Sequence, residues 1–167
     1  KTRTAETEKQ IESVEHLVAE VNGSDVLQRQ YHWGLDLSGS MQGAGGVGGL
    51  LRMYDHGTSA HYYTTYDGNG NVASMVRQDT STVAASYEFG PFGEVVRASG
   101  VVAKTNPFRF STKYQDDETD LVYYGYRLYN AVTGRWLSRD PLGEHGGNNL
   151  YRSCRNNNVN RIDIKGL

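Results

Sequence analysis

Two aspartates near the end of the chain are the residues best placed by type and spacing to do chemistry. Asp140 opens Asp140-Pro141-Leu142-Gly143, and Asp163, 23 residues later, opens Asp163-Ile164-Lys165-Gly166-Leu167, where the sequence stops. Two close carboxylates can share one proton. The ionised member then activates water while the protonated one polarises a carbonyl. Such a dyad works on its own backbone if the fold lays a peptide bond between the two acids. The effective concentration is then so high that a weak catalyst completes a single turnover. Arg139 stands beside Asp140 and offers a guanidinium that would orient a carboxylate or stabilise developing negative charge. The same residues have a plainer use, because Asp140-Pro141 and Asp163 also suit the start of turns.

Other stretches resemble sites and fail on inspection. Gly43-Ala44-Gly45-Gly46-Val47-Gly48 has the G-x-G-x-x-G spacing, but a dinucleotide loop needs a crossover helix after it. Leu50 to His56 is too short before Gly57 to be that helix. The stretch reads as closely packed backbone, where absent side chains let a neighbouring segment approach. Asp67-Gly68-Asn69-Gly70-Asn71 starts like a calcium loop, yet Val72 replaces its glycine and Gln78 its bidentate Glu. His16, His32, His56, His61 and His145 show no ligand spacing with acids or Cys154. Cys154 is the sole cysteine, so no internal disulfide exists. No cofactor and no metal are expected.

These candidates need elements to position them, and composition says which kind. Hydrophobic residues are only 37%, with 20 Gly and 12 Tyr, a mixture that favours many short strands over a self-sufficient compact globule. Tyr joins an apolar ring to a polar tip and suits half-buried sheets with a wet face. The net charge is -2 with no basic patch, so no nucleic-acid partner is expected. No stretch is apolar enough to span a membrane, and no hydrophobic segment follows Lys1 as in a signal peptide.

Ile11, Val14, Leu17, Val18 and Val21 are spaced almost as on a helix. Asn22-Gly23, however, is a hairpin signal, and Val26 to Leu35 beyond it puts Leu27, Arg29, Tyr31 and Trp33 on one face. A strand needs a partner, so residues 15–21 are predicted as strand. Turn signals then recur at roughly ten-residue spacing, which marks an antiparallel meander. The predicted strands are Ala60–Tyr66, Val72–Gln78, Val83–Phe89, Glu94–Ala98 and Val101–Lys104.

The stretch Tyr66-Asp67-Gly68-Asn69-Gly70-Asn71-Val72 resembles a Tyr-Asp (YD) repeat, and Tyr87 to Glu94 resembles the segment that commonly follows one. From Asn106 the likeness tightens through Pro107-Phe108-Arg109-Phe110-Ser111-Thr112-Lys113-Tyr114, Tyr123-Tyr124-Gly125-Tyr126-Arg127 and Thr133-Gly134-Arg135-Trp136-Leu137-Ser138-Arg139-Asp140-Pro141. Asn148-Asn149-Leu150-Tyr151 and Asn156-Asn157-Asn158 then separate the two Asp blocks. Together these resemble the C-terminal part of the Rhs repeat-associated core domain, of the YD-repeat family that includes Tc-toxin shells.

The resemblance implies an all-β fold: an antiparallel meander of YD-type hairpins, forming the curved end of an Rhs-type shell. Residues 1–14 stay unassigned, 15–105 are YD-repeat-like, and 106–167 form the autoprocessing region. It implies self-cleavage after Leu167 by Asp residues of this region, here Asp140 and Asp163, which makes the chain at most a single-turnover aspartyl autoprotease, with Arg139 the adjacent cation read from the sequence. A chain stopping at Leu167 is then expected to be a shell piece whose cargo has been removed or was never encoded. Implied partners are the upstream shell and a C-terminal toxin cargo, in a secreted or cell-surface setting. Open sheet edges also invite self-association. Ile164 replaces the family's Pro, Asn158 and Asp120 replace its usual Pro and Gly, and Arg152-Ser153-Cys154 replaces a more aromatic strand. Without Pro at 164, φ is no longer fixed just before the bond. The rival reading is a non-catalytic, Tyr-rich β module that binds glycans or a partner protein, since Tyr rings stack on sugar faces.

Overall fold

The computed structural model describes residues 9–13 and 16–167. The chain is nearly all β, with 37% strand and 6% helix, the latter confined to short 3-10 turns. Eight strands form the first sheet in strict chain order: β1 (Lys9–Ser13), β2 (His16–Val21), β3 (Leu27–Trp33), β4 (Leu50–Asp55), β5 (Ala60–Tyr66), β6 (Val72–Arg77), β7 (Val83–Phe89) and β8 (Val95–Ser99). Every pairing is antiparallel between sequence neighbours, so the expected meander is present. Register shifts interrupt most of these ladders, and such bulges bend and twist a sheet. A second sheet has the order β12-β11-β10-β9, from β9 (Tyr114–Gln115), β10 (Leu121–Tyr123), β11 (Leu128–Asn130) and β12 (Arg135–Trp136). Among the described residues, no helix is long and apolar enough to cross a membrane.

Most predicted strands lie where the turn chemistry put them; of residues 15–21, Glu15 falls outside the described set. Val101–Lys104 is a correction, because it is a turn rather than a strand. Gly100 has φ +106, and a Cβ there would meet the Ala84 carbonyl oxygen at 2.3 Å. The chain therefore doubles back over β7, with the Val102 N–H donating to Ala84 O at 3.0 Å. Val102 and Ala103 are buried as a plug, which explains their apolar character without a ladder.

Two clusters make the core. Tyr62, Leu50, Met53, Met75 and Val72, all fully buried, centre the first sheet's cluster. Phe110, Val122, Tyr124, Tyr129 and Trp136 form the second. The linker between the sheets divides its two phenylalanines: Phe108 packs into the first cluster and Phe110 into the second. Alternate side chains of one segment thus tie the sheets together, with Phe89 touching both clusters.

The Gly-rich loop after β3 is organised by one carboxylate. Asp36 Oδ1 accepts from Ser38 N–H at 2.9 Å and Ser38 Oγ at 2.6 Å, while Oδ2 accepts from Ala44 N–H at 2.7 Å and Gly46 N–H at 3.2 Å. Burial opposes ionisation, but the donors from Ser38, Ala44 and Gly46 outweigh it and hold the carboxyl below its ordinary value. A depressed carboxyl gives stability that is full at neutral pH and lost as pH falls through the folded value. Asp36→Asn places an NH2 against N–H donors and should cost about 1–3 kcal/mol in urea unfolding at neutral pH. That deficit should shrink on acidification.

Candidate active site

The segment 163–167 is gripped along its whole backbone. Asp163 Oδ1 accepts from three consecutive N–H groups: Lys165 at 3.2 Å, Gly166 at 2.6 Å and Leu167 at 3.2 Å. The three preceding carbonyls each meet a donor from elsewhere. Lys113 Nζ donates to Ile164 O at 2.9 Å, Tyr126 N–H to Lys165 O at 3.2 Å, and Arg127 Nε to Gly166 O at 2.5 Å. Gly166 has φ +75, and a Cβ there would press on Tyr124 at 3.1 Å, so glycine is needed for the close approach.

Arg127 links Asp140 to the segment that Asp163 caps. It sits at the corner between β10 and β11, is 3% exposed, and lies 4.4 Å over the Trp136 ring. Its Nη2 donates to Asp140 Oδ2 at 3.1 Å and its Nη1 to Leu150 O at 3.3 Å, while Nε holds Gly166. Asp140 follows β12; its own N–H bonds Leu150 O at 3.0 Å and its Oδ1 accepts from Leu142 N–H at 2.8 Å. Asp140 and Asp163 line one cavity of about 810 Å³, together with Leu167, Cys154, Arg152, Arg155, Arg161 and Lys165. Their carboxylates are not bonded to each other; Arg127 bonds Asp140 directly and reaches the Asp163 turn through the Gly166 carbonyl.

Arg139 does not take the part expected of it. It is exposed and does not line the cavity. Asp140 turns inward beneath Arg127, which leaves its neighbour facing solvent. Arg127 was missed as a site residue because its role depends on two segments that meet it only in the folded chain. Leu167 is 40% exposed at the cavity's edge.

Comparison with known proteins identifies the family of the chain. The family profile described as Teneurin YD-shell matches residues 46–162. The chain belongs to the YD-shell family. A toxin subunit, YenC2 of Yersinia entomophaga, is 38% identical over 101 residues, which cover 60% of this chain and 10% of that protein. The double-stranded DNA deaminase toxin A of Burkholderia cenocepacia is 35% identical over 95 residues, 55% of this chain and 7% of that protein. The crystal structure of TcdB2-TccC3-Cdc42 superposes with TM-score 0.71 at 25% identity, covering 91% of this chain and 7% of that one. This YD-shell chain therefore spans a tenth or less of the length of these relatives.

Electrostatics distinguish the two acids that line the cavity. Burial raises the Asp163 carboxyl above its ordinary value, partly offset by the Gly166 and Leu167 N–H groups and by the charge of Arg127. Asp140 instead faces a buried cation. Because the folded chain holds the Asp163 proton more tightly than the unfolded one, this group's stability contribution is full at low pH and lost as pH rises through the raised value. Asp163→Asn removes that loss and keeps an Oδ1 acceptor. Its urea midpoint should gain on the wild type as pH rises from about 4 to 7.

The other candidates have structural work. Asp67 Oδ1 accepts from Asn69 and Asn71 N–H at 2.9 and 3.0 Å, which makes it a turn former. Among the described residues, no group of three or more His, Cys, Asp or Glu could hold a metal. Cys154 lines the cavity, but burial pushes its thiol up, so the nucleophilic thiolate is scarce.

Proposed function

We propose that the chain is the end-piece of an Rhs-type encapsulating shell whose aspartate pair cuts the backbone once after Leu167, releasing a C-terminal toxin cargo. The observation that carries this reading is the grip on residues 164–167 by Asp163, Lys113, Tyr126 and Arg127, with Arg127 bonded in turn to Asp140. Asp140, paired with Arg127, serves as the base, and Asp163, whose proton burial retains, serves as the acid. Asp163 Oδ1 is occupied by N–H groups, so Oδ2 carries the proton. Asp140 takes a proton from water, whose oxygen attacks the Leu167 carbonyl carbon while Asp163 protonates the carbonyl oxygen. Collapse breaks the C–N bond as Asp140 passes the proton it took from water to the leaving nitrogen and Asp163 takes back the proton it gave to the carbonyl oxygen, so Leu167 keeps a carboxyl group.

The likeness to toxin subunits and to a TcdB2-TccC3 complex supports an upstream shell and a toxin cargo as partners, in a secreted or cell-surface setting. The outer edge of β8, where Val96 is 67% exposed, offers a place for a neighbouring wall strand. The glycan-binding alternative finds only some of the tyrosines at the surface. Tyr31, Tyr62, Tyr87, Tyr124 and Tyr129 are buried in the core, while Tyr63, Tyr123, Tyr126 and Tyr151 are exposed.

The test places a reporter domain after Leu167 in the full shell. Processing of the linkage, with the reporter resistant to added protease until the shell is opened, is expected. A reporter that stays covalently attached and freely digestible contradicts both halves of the proposal.

A further inference from the structure

Lys113 is a buried cation outside the aspartate pair. It is 7% exposed and follows the 3-10 turn Phe110–Thr112, in which Ser111 and Thr112 hold left-handed φ values of 51 and 52. Those two residues are pinned from another strand connection: Ser111 N–H donates to Asn71 Oδ1 at 2.8 Å, and Thr112 Oγ1 donates to Gly70 O at 2.7 Å. A conformation this costly persists only where its surroundings enforce it. Its effect is to aim the lysine. Lys113 Nζ lies 2.6 Å from Gly45 O and 2.9 Å from Ile164 O, with the Tyr124 ring centroid 5.5 Å away. Its ammonium thus joins two carbonyls that are far apart in sequence.

The Gly45 side of this bridge is equally tight. Gly45 has φ +62, and a Cβ on it would stand 2.4 Å from Ile164 O. The loop carrying Gly45 is fixed from behind by the Asp36 carboxylate, and Gly48 N–H donates to Thr112 Oγ1 at 2.9 Å. A contiguous chain of bonds therefore runs from the Gly-rich loop after β3 through Lys113 to the segment that follows Asp163.

Resting on the self-cleavage reading, we propose that Lys113, held against the Gly45 loop, is a positioning residue for that cleavage: it fixes the Ile164 carbonyl and so sets which peptide bond reaches the aspartates. Arg127 fixes the Gly166 carbonyl, and two points define the register of the strand between them. The position matters here because Ile164, unlike Pro, leaves φ free. Loss of the ammonium would let the segment slide, and a displacement near 1 Å costs a rate of order 100-fold.

The experiment uses the full shell with a reporter after Leu167, and reads the rate and the site of cleavage by intact mass. Lys113→Met should slow processing by about 100-fold, and its residual product should scatter to bonds beside Leu167. Lys113→Arg keeps the charge and should recover part of the rate and the single cut. Gly45→Ala keeps Lys113 but pushes on Ile164 O, and should mimic Lys113→Met. A merely structural lysine would lower the urea midpoint and leave the folded protein cutting cleanly at Leu167. Wild-type rate and site in Lys113→Met and Gly45→Ala, with Asp140→Asn blocked, overturns the role of Lys113 alone. Undiminished cleavage in Asp140→Asn, or no cleavage in the wild type, overturns the aspartyl reading and this one with it.

Discussion

Arg127→Met should abolish processing and lower stability by about 3–5 kcal/mol, the usual result of removing one partner from a buried ion pair. The side chains of Arg127 and Asp140 are only 1% and 10% exposed. Methionine fills the space over Trp136 but leaves the Asp140 carboxylate facing a low-dielectric pocket with no cation. It also strips the Gly166 and Leu150 carbonyls of their side-chain donor. Urea unfolding should show the loss, and it should be smaller in Arg127→Met/Asp140→Leu, where no unpaired charge remains. An Arg127→Met protein as stable as the wild type would mean that the pair is not buried as described.

Asp140→Asn and Asp163→Asn should each cut the cleavage rate by at least about 100-fold, because each removes a general acid or base worth about 100- to 10,000-fold. Asparagine keeps the shape of each side chain and one acceptor oxygen. The Leu142 N–H can still bond residue 140, and the N–H groups of residues 165–167 can still bond residue 163. Folding should therefore survive while the chemistry stops, which circular dichroism beside gel mobility would report. The wild-type rate should also fall as pH rises through the raised Asp163 value, since the acid must hold its proton. If both Asn variants cut at the wild-type rate, the aspartates are turn formers and nothing more.

The fold was legible where local turn chemistry decided it. Asn22-Gly23 placed the β2–β3 hairpin, and Ala60–Tyr66 and Val83–Phe89 were bounded correctly by their flanking Gly, Asp, Ser and Thr. It was not legible where tertiary contact decided it. Val101–Lys104 has strand composition, yet Gly100 turns it onto β7 as a plug. Leu50–Asp55 was read only as too short for a helix, although it completes the first sheet between β3 and β5. The site divides in the same way. The aspartates stood out because two acids open similar short blocks. Arg127 and Lys113 sit inside the family-like stretches, but nothing local marks them as site residues, because their partners lie 13 to 68 residues away. Arg139 was chosen for adjacency in sequence, but adjacency along a chain does not decide which side chain turns inward.

The central claim is that this chain cuts itself after Leu167, and intact mass of the full shell continued past Leu167 into a reporter domain tests it most directly. Two species should appear, an upstream product whose C-terminal residue is Leu167 and a downstream product that begins with the next residue, formed without added protease at a rate independent of protein concentration. A single uncut species, or a cut that appears only when a second protease is present, would contradict it.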